Sequence, residues 1–433
     1  MEKLFPVLSP LRNRIARSIG PVGGTATTWR AVTSINSGNR KGSVAFGTRN
    51  GEVSTTTANK TASFKTLGLD ESVQDEAIFM GKGFEDVRAM AQANLLSAVM
   101  IDEERQILGG QTSFSLGTPG SATLTTSTSG GSIPAAASNS VKVVALTLFG
   151  DNFGSVSGGV SGVNHSAVST GAPITTTGAT STISASTPIV NGALAYAWFA
   201  GAVGAERLEA ITRINSVKIT ALTGAGELVT AITGDNSADV NDYDGILAQI
   251  FVPGSGAFIK TLATGTPGIG TALTADGSGG VVEIDDMLKS LWDNSRIGPT
   301  LLLVNSQEAS NINKKVIAGG ASPIYRINVD PSGVADLQAG SRVGSYLNKY
   351  TNSVIPLMIH PYLSAGTLVA LSETLPYPNN NVPNVLEVET MQEYTSYDWA
   401  RTQRKYEFGI YATEVLKFYF PAGAGIITNI ANG

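Results

Sequence analysis

The stretch from Gln111 to Ala205 carries only two charged side chains, Lys142 and Asp151. Segments that stay unfolded in water are usually charge-rich, so a run this poor in charge must bury itself. Its first part, Gln111 to Ser140, is Ser, Thr, Gly, Ala or Pro at 24 of 30 positions. Apolar runs then recur: VKVVALTLF, ALAYAWFAGAV, LEAITRI and VKITALTG. They are rich in Val, Ile and Thr and are separated by closely spaced turns. Residues 140–225 therefore read as a small β-sandwich inserted between halves of a larger fold, with a flexible linker as the alternative.

The rest of the composition limits the chemistry. A chain of 433 residues is long enough for several domains and a sizeable core. Cysteine is absent, which excludes disulfide scaffolds, thiolate metal sites and thiol catalysis. The two histidines, His165 and His360, leave little room for His-based metal sites or a Ser-His-Asp triad. A net charge of -5 argues against nucleic-acid binding through a broadly basic surface. The apolar run Ala193 to Ala205 is too short to span a bilayer. The opening MEKLFPVLSPLRNRIAR has no apolar core of a secretory signal. No enzyme, cofactor or metal is expected from this inventory.

Individual motifs agree. No phosphate loop, dinucleotide fingerprint, HExxH or GxSxG occurs, and GTPGIG (265–270) reads as a glycine-rich turn. In DNSADVNDYDG (235–245) Asp242, Asp244 and Gly245 suggest a calcium loop. However, Val240 and Phe251 occupy its first and twelfth ligand positions, so a solvated acidic loop is expected. His165 in a Gly/Ser loop and His360 at a strand end read as structural residues. Arg401, Arg404 and Lys405 in WARTQRKYEFG read as a solvated strand edge, with phosphate contact as the alternative.

Along the chain, Met1 to Lys41 carries seven basic residues, among them Arg12, Arg14, Arg17 and Arg30, against Glu2. Pro6, Pro10 and Pro21 break any long helix, which makes this an extended basic arm. Phe5, Leu8, Leu11 and Trp29 are too apolar to stay in water, so the arm must pack on something. In residues 36–80, SVAF and TASFKTLGL alternate and predict a long hairpin closed by Asp70, Glu71, Asp75 and Glu76. Residues 83–108 form the clearest helix, with Phe84, Val87, Ala91, Leu95 and Ala98 on one stripe and Gly109-Gly110 at its end. IDDMLKSLWDN predicts a helix ended by Gly298-Pro299. TLLLV predicts a buried strand, and Asn305 with Glu308 a capping pair opening SQEASNINKKVI. SVIPLMIHP, GTLVALSETL, YEFGIYATEVLKFYFP and GIITNI read as strands, giving an α+β chain.

Taken in order, these pieces resemble the major capsid proteins of tailed double-stranded DNA bacteriophages, with the Hong Kong 97-type fold. IDDMLKSLWDNSRIGPTLLLVNSQEASNIN is similar to the family's helix, strand, Asn-containing turn and helix. IPLMIHPYLSAGTLVALSETL and RKYEFGIYATEVLKFYFPAGAGIITNI are similar to its later strands. FPVLSPLRNRIAR and DEERQILGG resemble a subfamily with inserted β domains. The resemblance covers about 1–110 and 280–433.

It implies an N-terminal arm (1–35), an E-loop (36–80) and a peripheral domain (81–139) with its spine helix at 83–108. An inserted Ig-like β-sandwich (140–225), a further peripheral segment (226–284), an axial domain (285–370) and a closing peripheral segment (371–433) follow. It further implies inter-subunit contacts from the arm at Phe5, Leu8, Leu11, Arg12, Arg14, Arg17 and Trp29. E-loop contacts would come from Lys60, Phe64, Lys65 and Leu67, and spine contacts from Phe84, Val87, Ala91 and Leu95. Some relatives crosslink Lys to Asn; no pair is identified here. Because Met1 lies so near the arm, no fused scaffold is expected.

The implied function is self-assembly, as hexamers and pentamers, into the icosahedral head of a virion. The implied partners are copies of itself, packaged double-stranded DNA, a portal and decoration proteins, without a membrane, with assembly in the bacterial cytoplasm. An extended arm of 35 residues reaches up to about 120 Å, far enough to cross a neighbour. The arm's cations are expected to pair with acids such as Asp70 to Glu76 of neighbouring copies. The alternatives are an encapsulin-like nanocompartment shell, a β-rich surface or S-layer protein, a hydrolase without a nominated nucleophile, and a tail-tube protein.

Overall fold

The computed structural model describes the chain apart from residues 1–8, 21–23, 36–42, 50–54, 84–85, 137, 319–325, 330–334, 339–342, 376–381 and 432–433. The elements begin with β1 (Ala16–Ile19), β2 (Ala26–Ile35), β3 (Thr55–Ser63), β4 (Lys65–Gln74), α1 (Asp75–Gly81) and α2 (Val87–Gly109). Next come β5 (Thr123–Ser127), β6 (Ser138–Leu146), α3 (Leu148–Phe153), β7 (Ala172–Thr175), β8 (Thr182–Ser186), β9 (Ala195–Gly201), β10 (Arg207–Thr212) and β11 (Ser216–Ile219). Then follow α4 (Ile246–Phe251), β12 (Phe258–Thr261), α5 (Val282–Ser295), β13 (Leu301–Val304) and α6 (Ser306–Ala318). The chain closes with β14 (Arg326–Val329), β15 (Ala335–Gln338), β16 (Ser345–Asn348), β17 (Ser353–Ile359), β18 (Leu368–Leu371), β19 (Leu386–Asp398), β20 (Lys405–Phe418) and β21 (Gly425–Thr428). The α+β class is as expected.

The elements fall into two compact units. One comprises Met1–Arg14, Met100–Val385 and Phe420–Gly433; the other comprises Ile15–Val99 and Leu386–Tyr419.

The smaller unit is built on a sheet of order β1-β19-β20-β4. β1 runs parallel to β19, pairing Ala16 with Glu387, and the other neighbours are antiparallel. Val73, Phe408 and Ile410 of this sheet pack on Ala91, Leu95 and Val99, which recur every four residues along α2. The helix starts at Val87 because the Asp86 carboxylate accepts the N–H groups of Arg88 and Ala89, each at 3.1 Å. The expected Ala98 of the stripe gives way to Val99, which is fully buried.

The hairpin differs from expectation. Its strands are β2 and β3, with Trp29 opposite Lys60. SVAF lies outside any strand, and most of TASFKTLGL belongs to β4 in the larger sheet. The β-branched run ATTWRAVTSI, read as arm, is the missing partner strand.

In the larger unit, a six-stranded sheet has the order β12-β21-β18-β13-β17-β16. The strands LLLV, LVAL and GIIT are buried at every position, as a sheet covered on both faces requires. Ile284, Met287, Leu288 and Leu291 of α5 and Ile312 of α6 share its core. β12 and β21, expected in peripheral segments, therefore join the strands of 301–371 in one sheet. The stop of α5 is Arg296, in left-handed conformation at φ 55°, with its N–H and that of Ile297 returning to Trp292 and Leu291. That arrangement closes the helix before Gly298-Pro299 is reached. Asn305 does cap α6, accepting from Gln307 N–H at 3.0 Å. Glu308 instead turns inward, to Gly366 N–H at 3.0 Å and Asn311 at 3.2 Å.

The charge-poor stretch is a folded sandwich, not a linker. One sheet has the order β10-β9-β6-β7, the other β11-β8-β5. Val141, Val143, Tyr196 and Trp198 of the first meet Ile183, Ala185, Val217 and Ile219 of the second. The opposite face of the first sheet is also covered, around Val144, Leu146, Ala197, Phe199 and Leu208. Burial on both faces explains why ALAYAWFAG is a continuous apolar run. Strands begin at Thr123, so part of the Ser/Thr-rich segment belongs to the domain. Counted in sequence, strands two, three, five and six share one sheet and one, four and seven the other. This is not the immunoglobulin partition, which sets one, two, four and five against three, six and seven. Lys142 is paired with buried Glu206 at 3.2 Å, and Asp151 with Arg213 at 2.9 Å, so both charges of the stretch are matched.

Candidate assembly surface

The arm is the first expected assembly element, and residues 9–14 form a turn in the larger unit. Leu11 is buried there. Glu103 and Glu104, in the last turns of α2, are fully buried beneath it. The two oxygens of Glu104 accept the N–H groups of Leu11 at 2.9 Å and Arg12 at 2.6 Å. Glu103 accepts the Arg12 guanidinium Nε at 2.5 Å. A third donor reaches Glu104: His360 Nε2, at 2.6 Å, from a position 256 residues away. His360 Nδ1 accepts the Tyr362 N–H at 3.3 Å, so Nε2 carries the proton that it gives to Glu104. A buried carboxylate thus finds three donors, which is how such a group is tolerated in a core. Arg105 lies between the rings of Tyr362 and Phe153, at 4.6 and 4.9 Å.

Arg14 and Arg17, described cations of the arm, are also engaged within the chain. Arg14 meets Glu373 through two nitrogens, one at 2.7 Å. Burial pushes the Glu373 carboxyl up, but the hydrogen bond and charge of Arg14 outweigh it and hold the group below the usual carboxylate range. In the smaller unit Arg17 lies 3.6 Å from buried Glu414. The Trp29 ring packs edge-on against Tyr419 at 5.7 Å. Leu11, Arg12, Arg14, Arg17 and Trp29 thus have partners in their own chain. Phe5 and Leu8 lie outside the described residues. The acids nominated for the arm are used elsewhere: Asp75 by Arg401, Glu76 by Arg404 at 3.2 Å, and Asp70 by Trp399 and Tyr411. The same pairs, with Lys405 on Glu407, occupy the cations of WARTQRKYEFG.

The hairpin is built differently. Among the described residues β2 and β3 pair only with each other in a two-stranded sheet. Toward its end, Val44 and Phe46 are exposed, Phe46 completely at 108%. Lys60 is exposed; Lys65 and Leu67 are half-buried in β4. Phe64 is buried beside Gly20, where an added Cβ would come within 2.9 Å of its ring. Of the spine residues, Ala91 and Leu95 are buried and Val87 packs beside them, while Phe84 lies outside the described residues.

The remaining candidates are structural. His165 is buried, its Nδ1 2.8 Å from the Ser166 carbonyl. The 235–245 loop is not merely solvated. Asp244 accepts the N–H groups of Thr112 and Ser113 at 2.9 and 3.0 Å, and Asp235 accepts that of Gly117 at 2.7 Å. These acids fasten the start of the charge-poor stretch. Among the described residues no cluster of His, Asp and Glu is arranged to hold a metal ion. No helix among them is long and apolar enough to cross a membrane.

No known protein-family profile matches the chain, and no curated protein matches it. Solved structures do. The chain is similar to the capsid of a native GTA particle, at 8% identity and a TM-score of 0.45, covering 100% of this chain and 93% of that one. It is similar to the holo-SrpI encapsulin complex from Synechococcus elongatus PCC 7942, at 8% identity and a TM-score of 0.43, covering 99% and 89%. It is also similar to the capsid of Myoviridae phage XM1, at 8% identity and a TM-score of 0.42, covering 99% and 94%.

Proposed function

We propose that this chain is a major capsid protein of the Hong Kong 97 type. It assembles as hexamers and pentamers into an icosahedral virion head, and its role is structural rather than enzymatic. The observation that carries this reading is the β2–β3 hairpin. Its strands have no third partner among the described residues, and Phe46 stands fully in solvent at its far end. A two-stranded ribbon is marginal by itself in water. It becomes stable when its faces are covered, and copies of the same chain are the cover that a closed shell provides.

In this reading the hairpin is the E-loop, α2 the spine helix, and the six-stranded sheet the axial domain. The four-stranded sheet of the smaller unit is the peripheral domain, and the sandwich is an insertion. Double-stranded DNA is the cargo, assembly takes place in the host cytoplasm, and portal and decoration proteins complete the particle. In this reading the described arm serves anchoring rather than DNA, supported by the engagement of Arg12, Arg14 and Arg17 within the chain.

Sedimentation velocity on the purified assembly, with negative-stain imaging of the fastest species, tests this. Closed particles tens of nanometres across with hexameric capsomers are expected, and DNA within them separates a virion head from an encapsulin-like shell. A monomer or a flat lattice under all conditions would overturn the reading.

A further inference from the structure

The two faces of the four-stranded sheet in the smaller unit are built differently. Phe408 and Ile410 point to α2. By strand alternation Gly409 and Tyr411 point the other way, together with Gly68 and Asp70 of β4, which pair with Tyr411 and Gly409, and Tyr397 of β19, which also pairs with Gly409. On that second face Tyr397, Trp399 and Tyr411 form a triangle with ring centroids 6.0 to 6.2 Å apart. Tyr397 and Trp399 are 39% and 44% exposed. Two glycines make room for the third ring: a Cβ on Gly68 would lie 2.2 Å, and one on Gly409 2.6 Å, from Tyr411.

The polar edge of each ring already has a hydrogen-bond partner. Asp70 Oδ1 accepts the indole N–H of Trp399 at 3.1 Å and the hydroxyl of Tyr411 at 2.9 Å. Gln392 donates to the Tyr397 hydroxyl at 2.5 Å. What remains available is apolar ring surface beside the Tyr397 O–H donor and one acceptor, Asp70 Oδ2, which receives no hydrogen bond among the described residues. Neighbouring charges cancel in pairs: Arg88 with Asp398 at 2.8 Å, Arg401 with Asp75, and Lys405 with Glu407. Among the described residues each of these cations is paired, which sets this face apart from the basic grooves that hold single-stranded nucleic acid.

We propose that Tyr397, Trp399, Tyr411 and Asp70 form a binding platform for a neutral carbohydrate. The aliphatic face of a pyranose would lie on the exposed rings, and one of its hydroxyls would donate to Asp70 Oδ2. A sugar offers the required combination, an apolar face and donor hydroxyls without net charge. Binding here requires no shell, so its failure leaves the capsid reading untouched.

The test is isothermal titration of the full-length chain with three neutral probes: maltohexaose, cellohexaose and chitohexaose. Saturable binding of at least one is expected. Trp399→Ala should weaken it at least tenfold, whereas Trp399→Phe, which keeps a ring, should weaken it less than threefold. Retention by Trp399→Phe shows that loss in Trp399→Ala is not a folding defect. Asp70→Asn should weaken sugar binding only modestly. Absence of binding by all three probes, or binding indifferent to Trp399→Ala, would overturn the proposal. So would capture of hepta-arginine in their place, abolished by Asp70→Asn, because it would mark the face as a cation-binding protein interface.

Discussion

The arm turn at residues 9–14 and the β2–β3 hairpin both lie outside the larger sheets, yet they are held in opposite ways. The turn is held by buried carboxylates of its own chain, with Glu104 receiving three donors and Glu103 a guanidinium. The hairpin pairs with no third strand among the described residues; its base is held by Trp29 on Tyr419, and its apolar end meets solvent. The turn's stability is therefore a property of the monomer, whereas the hairpin's is completed by whatever covers it. A segment committed internally is anchored; a segment left uncovered keeps apolar surface for a partner.

Substitutions should separate the two. Glu104→Ala removes the acceptor of two backbone N–H groups and of His360, and unfolding in urea should show a loss of about 3–5 kcal/mol. A loss below about 1 kcal/mol would mean that the clamp is dispensable. The second test concerns pH in the same unit. Burial pushes the Glu308 carboxyl up to about 7 from an ordinary 4.5. It pushes Asp242 to about 6, with Asp239 adding repulsion. Both groups are protonated more readily when folded. Their contribution is therefore fully present below the ordinary carboxylate pKa and is lost as pH rises through 6 to 7. Between about pH 4.5 and 7 stability should fall by up to about 3 kcal/mol from Glu308, and Glu308→Gln should flatten the profile. A profile that rises between pH 5 and 8 and is unchanged in the variant would contradict this. The smallest effect on folding belongs to the hairpin. Phe46→Ser should change unfolding by less than about 0.5 kcal/mol while abolishing fast-sedimenting particles. Particles of normal yield from that variant would make the hairpin's exposure irrelevant to association.

Much of this architecture is legible in the sequence where periodicity is local. The stripe of Val87, Ala91 and Leu95, the pairing of an amphipathic helix with TLLLV, and the sandwich strands all follow from patterns within a dozen residues. The failures come from longer range. Nothing near Glu104 announces His360, because the contact exists only after β17 and α2 have been brought together. The hairpin's first strand was hidden by proline and basic residues upstream, although ATTWRAVTSI carries the β-branched and aromatic content of a strand. The acids at 235–245 looked like a solvated loop because their partners are backbone N–H groups, which no composition reveals. Of the aromatic platform, the sequence singles out Asp70, as an acid closing the hairpin, and the segment WARTQRKYEFG only for its cations. Gly68 and Gly409, whose missing side chains make room for the Tyr411 ring, lie far apart in sequence.

The pairing of Ala16 with Glu387 and of Lys405 with Gln74 has a consequence for biosynthesis. Both central strands of the smaller unit's sheet come from residues 386–418, while its edge strands come from residues 16–74. The sandwich closes from one contiguous stretch and can fold while translation continues, but this sheet cannot begin until the ribosome has passed Leu386. A chain interrupted earlier would keep β1 and β4 waiting without their neighbours. Such a product lacks both central strands of this sheet, so the smaller unit cannot form in it.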